Sequence, residues 1–152
     1  SMNRFRHPGK RRGFTLLEVL VALVVLSIGV IGISALQNVS LRNNHSAMLR
    51  SQATTLSLDI LDRMRANRDG AVAGAYDISY GGSVTNPGCT SNCSEAQVAQ
   101  RDLDEWRFLI DRLPGGDSAV SVSAAGLAVV QVRWSDNRDS ADKLEITTRT
   151  SI

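Results

Sequence analysis

The chain of 152 residues is short of the groups from which most active centres are built. It holds two histidines and two cysteines. A nucleophile elbow, a P-loop, a Gly-rich dinucleotide fingerprint and a His-Glu metal motif are all missing. Zinc ordinarily takes four ligands; Cys89 and Cys93 have no second pair, and His7 and His45 lie far from them in sequence. No catalytic residue, metal site or cofactor is therefore expected. Acid is missing from residues 1–13, which carry Arg4, Arg6, Lys10, Arg11 and Arg12. Without these five of the 17 basic residues, 12 basic side chains face 15 acidic ones, a balance of −3. The net charge of +2 thus belongs to the N-terminal segment, and the remainder offers no basic face for nucleic acid.

Charge is also nearly missing from the 23 residues Phe14 to Leu36, whose one ionisable side chain is Glu18. About 20 apolar residues cross a bilayer as a helix, so this run is long enough with some tilt. Three readings compete. A secretory signal cut after Ala35 would have an overlong apolar region and Ile33, which is not small, three residues before the cut. A twin-arginine signal fits Arg11-Arg12-Gly13-Phe14 loosely, but a carboxylate just inside the apolar region argues against it. A retained anchor is the favoured reading. Basic residues ahead of it keep the N-terminus cytoplasmic and send the rest outward. Ser1, ahead of Met2, is expected to be a cloning remnant.

A carboxylate inside such a span is costly and marks a functional site by default. Glu18 has two readings. It lies among lipid headgroups and caps the helix, or it has a charged partner. A cut between Gly13 and Phe14 would create that partner, an α-amino group at Phe14, best reached between two subunits offset along a common axis.

Helical patterning continues past membrane length. Leu36, Val39, Met48, Leu49, Ala53, Leu56, Ile60, Leu61 and Met64 recur mostly at spacings of three, four and seven, with charged and amide residues between them. One helix from about Thr15 to Asn67 would be ~80 Å long, apolar all round at first and amphipathic after. Gly29 and Gly32 either let it unwind locally or permit close packing. Asp69-Gly70 and the small residues to Gly74 should end it, and residues 70–94 read as loop. In that loop Cys89 and Cys93 form a short-loop disulfide if the domain is exported.

Ser94-Glu95-Ala96-Gln97 fits a capping box. Ala99, Leu103, Trp106, Ile110 and Leu113 then follow on one helical face, and Pro114-Gly115-Gly116 stops it. Trp106 reads as core. Beyond it the period becomes two. Val120, Val122 and Ala124 alternate with serines; Ala125-Gly126 is a tight turn; Val130, Val132 and Trp134 share a face; Leu144, Ile146, Thr148 and Thr150 share another. Asp136, Asp139 and Asp142, three apart, read as a solvated hairpin loop and lack the spacing of a calcium loop. The fold class is α+β, a long helix whose second half covers a small antiparallel meander, with a second short helix. The segments are a leader at 1–13, a membrane or polymerisation helix at 14–36, its amphipathic continuation at 37–68 and a globular part at 69–152. Within the last, a helix is expected at about 94–113 and strands at about 118–124, 127–135 and 143–151.

Lys10-Arg11-Arg12-Gly13-Phe14-Thr15-Leu16-Leu17-Glu18 resembles the class III leader junction of type IV prepilins and pseudopilins. The resemblance implies that a membrane prepilin peptidase cuts after Gly13 and N-methylates Phe14, and that Glu18 is the assembly carboxylate. It also implies the pilin fold. Leu41-Arg42-Asn43-Asn44, Asp62-Arg63-Met64-Arg65-Ala66-Asn67, Cys93-Ser94 with Asp102-Leu103 and Trp106-Arg107, Leu113-Pro114-Gly115-Gly116 and the strand Val130 to Trp134 resemble minor pilins of the PilV type. Such a protein joins other minor pilins in a complex that primes type IV pilus assembly, at the pilus tip. The implied partners are those minor pilins, the major pilin, the prepilin peptidase, the inner membrane and its assembly platform; nucleic acid is not among them. The chain would sit in the inner membrane with its domain periplasmic until assembly. Two departures favour a minor over a major pilin: Ala35 stands where many major pilins have a kinking proline, and the cysteines form a tight mid-chain pair. A minor pseudopilin of a type II secretion system would share junction and fold. A single-pass anchored periplasmic binding domain is the alternative of another class.

Overall fold

A computed structural model of the protein describes residues 13–136 and 142–152. The expected leader, apart from Gly13, and Asp139 of the aspartate-rich loop lie outside the described residues. The elements are α1 Leu16–Ala66, α2 Arg68–Val72, α3 Glu95–Ile110, β1 Asp117–Val122, β2 Leu127–Trp134 and β3 Leu144–Ser151. The chain divides after Asn43 into two units, and α1 contributes to both.

In the first unit every large apolar side chain among the described residues is exposed, from 48% at Val19 to 88% at Leu16, so none of them is buried in a core. The hydroxyls are satisfied locally. Ser27 Oγ donates to the Leu23 carbonyl at 2.7 Å and Ser34 Oγ to that of Val30 at 2.9 Å. Gly29 and Gly32 do not interrupt the helix, and beyond the helix's own backbone a Cβ at either would meet no atom of the described residues within 4 Å. That open surface suits close approach by another helix.

The second unit is built on the rest of α1. Leu49, Ala53, Ser57, Ile60, Leu61 and Met64 are its buried face. The expected stripe was too long: Leu36, Val39 and Met48 are exposed and Leu56 is only partly covered. The cover from α3 sits further along, where the Trp106 Nε1–H donates to the Leu56 carbonyl at 2.8 Å. Ser57 is accommodated in the core because its hydroxyl bonds back to the Ala53 carbonyl at 2.9 Å.

The end of α1 departs from expectation. Asp69-Gly70 does not terminate a helix; it lies inside α2, in a stretch read partly as loop. The break comes at Asn67, which leaves helical backbone at φ −125°, ψ 57°. Its side-chain amide donates instead to the Glu95 carbonyl at 2.8 Å and the Tyr76 hydroxyl at 3.3 Å. The chain therefore has three helices among its described residues, one more than the sequence suggested.

The capping box opens α3 as expected: Ser94 Oγ accepts from the Gln97 N–H at 3.3 Å and Gln97 Oε1 from the Ser94 N–H at 2.9 Å. Ala99, Leu103, Trp106 and Ile110 are buried, and so is Leu113 just beyond the helix. The helix ends at Ile110, short of the expected 113, and the chain then turns tightly through Pro114-Gly115-Gly116. Gly115 takes φ +59°, and a Cβ on Gly116 would run into the Ile110 carbonyl.

The sheet is an antiparallel meander in the order β1-β2-β3. Val130 is the centre of one row, opposite Val120 on one side and Thr148 on the other. Val120, Val130, Val132 and Trp134 are buried with Trp106 and the α1 face; Leu144 and Ile146 pack partly against them. Strand β1 ends at Val122, so Ala124 is not a strand residue but part of the exposed turn, where the Gly126 N–H donates to the Ser123 carbonyl at 2.8 Å. Ile78 adds a bridge that the alternation did not reveal. It exchanges two 2.9 Å backbone hydrogen bonds with Val120, and Asp77 Oδ1 accepts from the Val122 N–H at 2.8 Å. The outer edge of β1 is thereby clipped.

Candidate functional site

Gly13, Phe14 and Thr15 precede the first helical residue, Leu16, and all are exposed. Helix α1 starts where it does because Thr15 caps it. Thr15 Oγ1 accepts from the Glu18 N–H at 3.2 Å, and the Thr15 carbonyl accepts from the N–H groups of Glu18 at 3.1 Å and Val19 at 3.3 Å. Glu18 lies in the first turn, where a carboxylate suits the helix dipole. Its carboxylate has no hydrogen-bond or ion-pair partner among the described residues. Around it Phe14, Val19, Ala22, Leu23 and Leu26 make an apolar surface. Thr15 was missed at the level of sequence, although Thr15-x-x-Glu18 has the same capping pattern as Ser94-x-x-Gln97. An apolar run draws attention to its single charge and away from its single cap.

Cys89 and Cys93 form a disulfide, Cα to Cα 5.8 Å, and no free cysteine remains. The ring closes immediately ahead of Ser94, so it ties the long loop to the start of α3. Asn92 inside it adopts φ +51°, a conformation asparagine tolerates better than most residues.

Two polar clusters of the second unit also escaped sequence reading, because each joins residues distant in the chain. In the first, Arg63 donates to Asp59 at 3.1 Å, Glu105 at 2.8 Å and Asp102 at 3.4 Å. Asp102 also accepts from the Tyr76 hydroxyl at 2.6 Å. Burial, then the neighbouring Asp102, pushes the Tyr76 phenol well above its ordinary range. In the second, Asp117 accepts from Arg107 at 3.1 Å, Arg133 at 2.6 Å and the N–H groups of Gly81 at 3.1 Å and Ser118 at 2.8 Å. Burial alone would raise the Asp117 pKa, but these donors outweigh it and hold the carboxyl at about 2. Arg133 lies 3.7 Å over the Tyr80 ring, and the Tyr80 hydroxyl donates to Glu145 at 2.8 Å. Burial, then Glu145, raises the Tyr80 phenol to about 12.

These clusters fasten the loop before α3 to the sheet and to α1. Each carboxylate within them is matched by cationic or N–H donors, so neither holds a poised nucleophile or base. Among the described residues no group of three or more His, Cys, Asp or Glu side chains could hold a metal ion. Asp136 accepts from Ser46 Oγ at 3.0 Å.

Two family models match the chain. Residues 8–34 match the prokaryotic N-terminal methylation motif, a segment that contains Gly13, Phe14, Thr15 and Glu18. Residues 35–104 match the model described as type IV pilin Tt1218, which takes in the rest of α1, the disulfide and the first part of α3. The three strands lie beyond both matches. Comparison with curated proteins and with solved structures returned no match.

Proposed function

We propose that the chain, which matches the prokaryotic N-terminal methylation motif at residues 8–34 and the type IV pilin Tt1218 model at residues 35–104, works as a minor pilin of the PilV type in pilus assembly. The observation that carries this reading is the first part of α1: an apolar helix whose large side chains are exposed and whose one carboxylate, Glu18, four residues from Phe14, has no partner among the described residues. Such a surface is stable in lipid or packed against other helices, and nowhere else. The minor rather than major subtype is supported by the tight Cys89–Cys93 ring and by Ala35 inside an unbroken α1.

The proposed sequence of events has three steps. The basic leader holds the N-terminus in the cytoplasm while the second unit lies on the periplasmic side. Prepilin peptidase cuts between Gly13 and Phe14 and methylates the Phe14 nitrogen. The helix then leaves the bilayer as it packs against neighbouring pilin helices, and Glu18 meets the cationic N-terminus of a neighbour. In this reading the subunit joins other minor pilins in the complex that primes the pilus and stays at its tip.

Intact-mass measurement in hosts with and without prepilin peptidase tests the first part. The expected result is loss of residues 1–13 and gain of one methyl group only where the peptidase is present. An unshortened chain in both hosts would favour an anchored binding domain instead. Glu18→Ala tests the second part: cleavage persists, and recovery in the minor-pilin complex falls at least tenfold, since about 1.4 kcal/mol of lost pairing already gives that factor. Copurification with the other pilins at the normal level would sink the charge-pairing role. Deletion that spares surface pili and twitching but abolishes exoprotein secretion would move the chain to the type II secretion pseudopilins.

A further inference from the structure

The two capping patterns in the chain are closed to different degrees. At α3 both halves are made: the Ser94 hydroxyl takes the Gln97 N–H, and the Gln97 side chain takes the Ser94 N–H. At α1 only the hydroxyl half is made. Thr15 Oγ1 takes the Glu18 N–H, and the Glu18 carboxylate has no partner among the described residues. The hydroxyl half is what sets the first helical residue at Leu16, so the Gly13–Phe14 peptide lies outside the helix. A Cβ placed on Gly13 meets no atom of the described residues beyond its chain neighbours within 4 Å.

We propose that Thr15 is a positioning residue for processing at the Gly13–Phe14 bond. The inference rests on the proposed processing of the chain and adds to it the residue that makes the bond presentable. In the hydrolysis the Gly13 carbonyl carbon gains the oxygen of water, the bond to the Phe14 nitrogen breaks, and that nitrogen leaves protonated as the new α-amine. A protease cleft must grip the backbone on both sides of the bond. Helical backbone is too compact for that, and its N–H and carbonyl groups are already engaged. An N-cap residue stops a helix, because its own backbone is non-helical and its side chain takes the place of the next turn. With alanine at position 15 the stop is gone and the best helix former takes its place. The helix then gains access to Phe14 and draws the scissile bond into its first turn. The half-made box has a second consequence: because Thr15 alone caps, the Glu18 carboxylate stays open for the amine that cleavage creates.

The test is cleavage of the full-length chain by prepilin peptidase in membranes, read by intact mass over time, with Thr15→Val, Thr15→Ala and Thr15→Ser. Valine keeps the shape of threonine and removes the acceptor; serine keeps the acceptor. The expected result is a kcat lowered roughly fivefold for Thr15→Val and Thr15→Ala, the factor that loss of a typical N-cap represents. KM stays unchanged, because the membrane span that binds is intact, and Thr15→Ser restores the rate. Wild-type kcat in Thr15→Val, or a Thr15→Ser as slow as Thr15→Val, would overturn the positioning role while processing itself stands. A wild-type chain left uncut would overturn both.

Discussion

One helix, α1, lives in two chemical settings. From Leu16 to Leu41 its large apolar side chains are all exposed, and Glu18, its one charged side chain, is unpartnered among the described residues. From Leu49 onward, Leu49, Ala53, Ile60, Leu61 and Met64 turn into a core while Leu58 stays exposed, and the charges at Asp59, Asp62, Arg63 and Arg65 are paired. Both stretches are regular helix, so helicity does not distinguish them. Where contacts within the chain are complete, the helix is a structural wall. Where they are missing among the described residues, it is a surface open to partners from outside. Substitutions therefore read out in different assays at the two ends.

The largest separation is expected from a pair of truncations. Trp106→Ala removes a buried indole and its hydrogen bond to the Leu56 carbonyl, and should cost about 3–5 kcal/mol in denaturant unfolding followed by the remaining tryptophan. Leu26→Ala, on the exposed stretch, should leave the same transition unmoved and reduce packing into filaments. A shared loss of unfolding stability would break the division. Next comes removal of the Cys89–Cys93 ring by a double Cys→Ala change. Closing so short a loop is worth about 2 kcal/mol in the chain-entropy account, read as a lowered denaturant midpoint with processing unchanged.

A smaller effect is expected from Asp117. Its folded pKa of about 2 lies below the ordinary 3.8, so the unfolded chain binds the proton more readily. The stability contributed by the ionised form is then fully present above pH ~4 and lost as pH falls toward 2. Denaturant midpoints across that window should slope downward with acid, and Asp117→Asn should flatten the slope. The smallest effect belongs to Ser94→Ala, about 1 kcal/mol for a lost N-cap. It should lower unfolding stability without touching cleavage, the reverse of what is expected at Thr15.

What was legible in the sequence is what local spacing encodes. Val130, Val132 and Trp134 fall on the buried face of β2 because alternate residues of a strand share a face. The cap and face of α3 follow equally from residues three and four apart. The methylation motif at residues 8–34, which contains Phe14 and Glu18, is contiguous and needs no fold to be read. The break at Asn67 was not legible. Asp69 and Gly70 look like better stops, and what decides is an amide reaching Glu95 and Tyr76 across the fold. Ile78 and Tyr80 were hidden for the same reason. Their partners, Val120 and Glu145, lie 42 and 65 residues away, and nothing local marks a loop segment as a clip. The buried stripe on α1 was overdrawn because periodicity shows that a helix can bury a face, and only its cover decides how far.

The clip over β1 also bears on how the sheet can fail. Runaway strand stacking needs two sticky margins on every molecule, one to receive and one to offer. Ile78 and Asp77 occupy one margin, and among the described residues only the outer side of β3 is uncovered. Two such sheets can at most close on each other as a pair. In the proposed role, where the helix makes the assembly contacts, the clip keeps the sheet from offering a second route of growth.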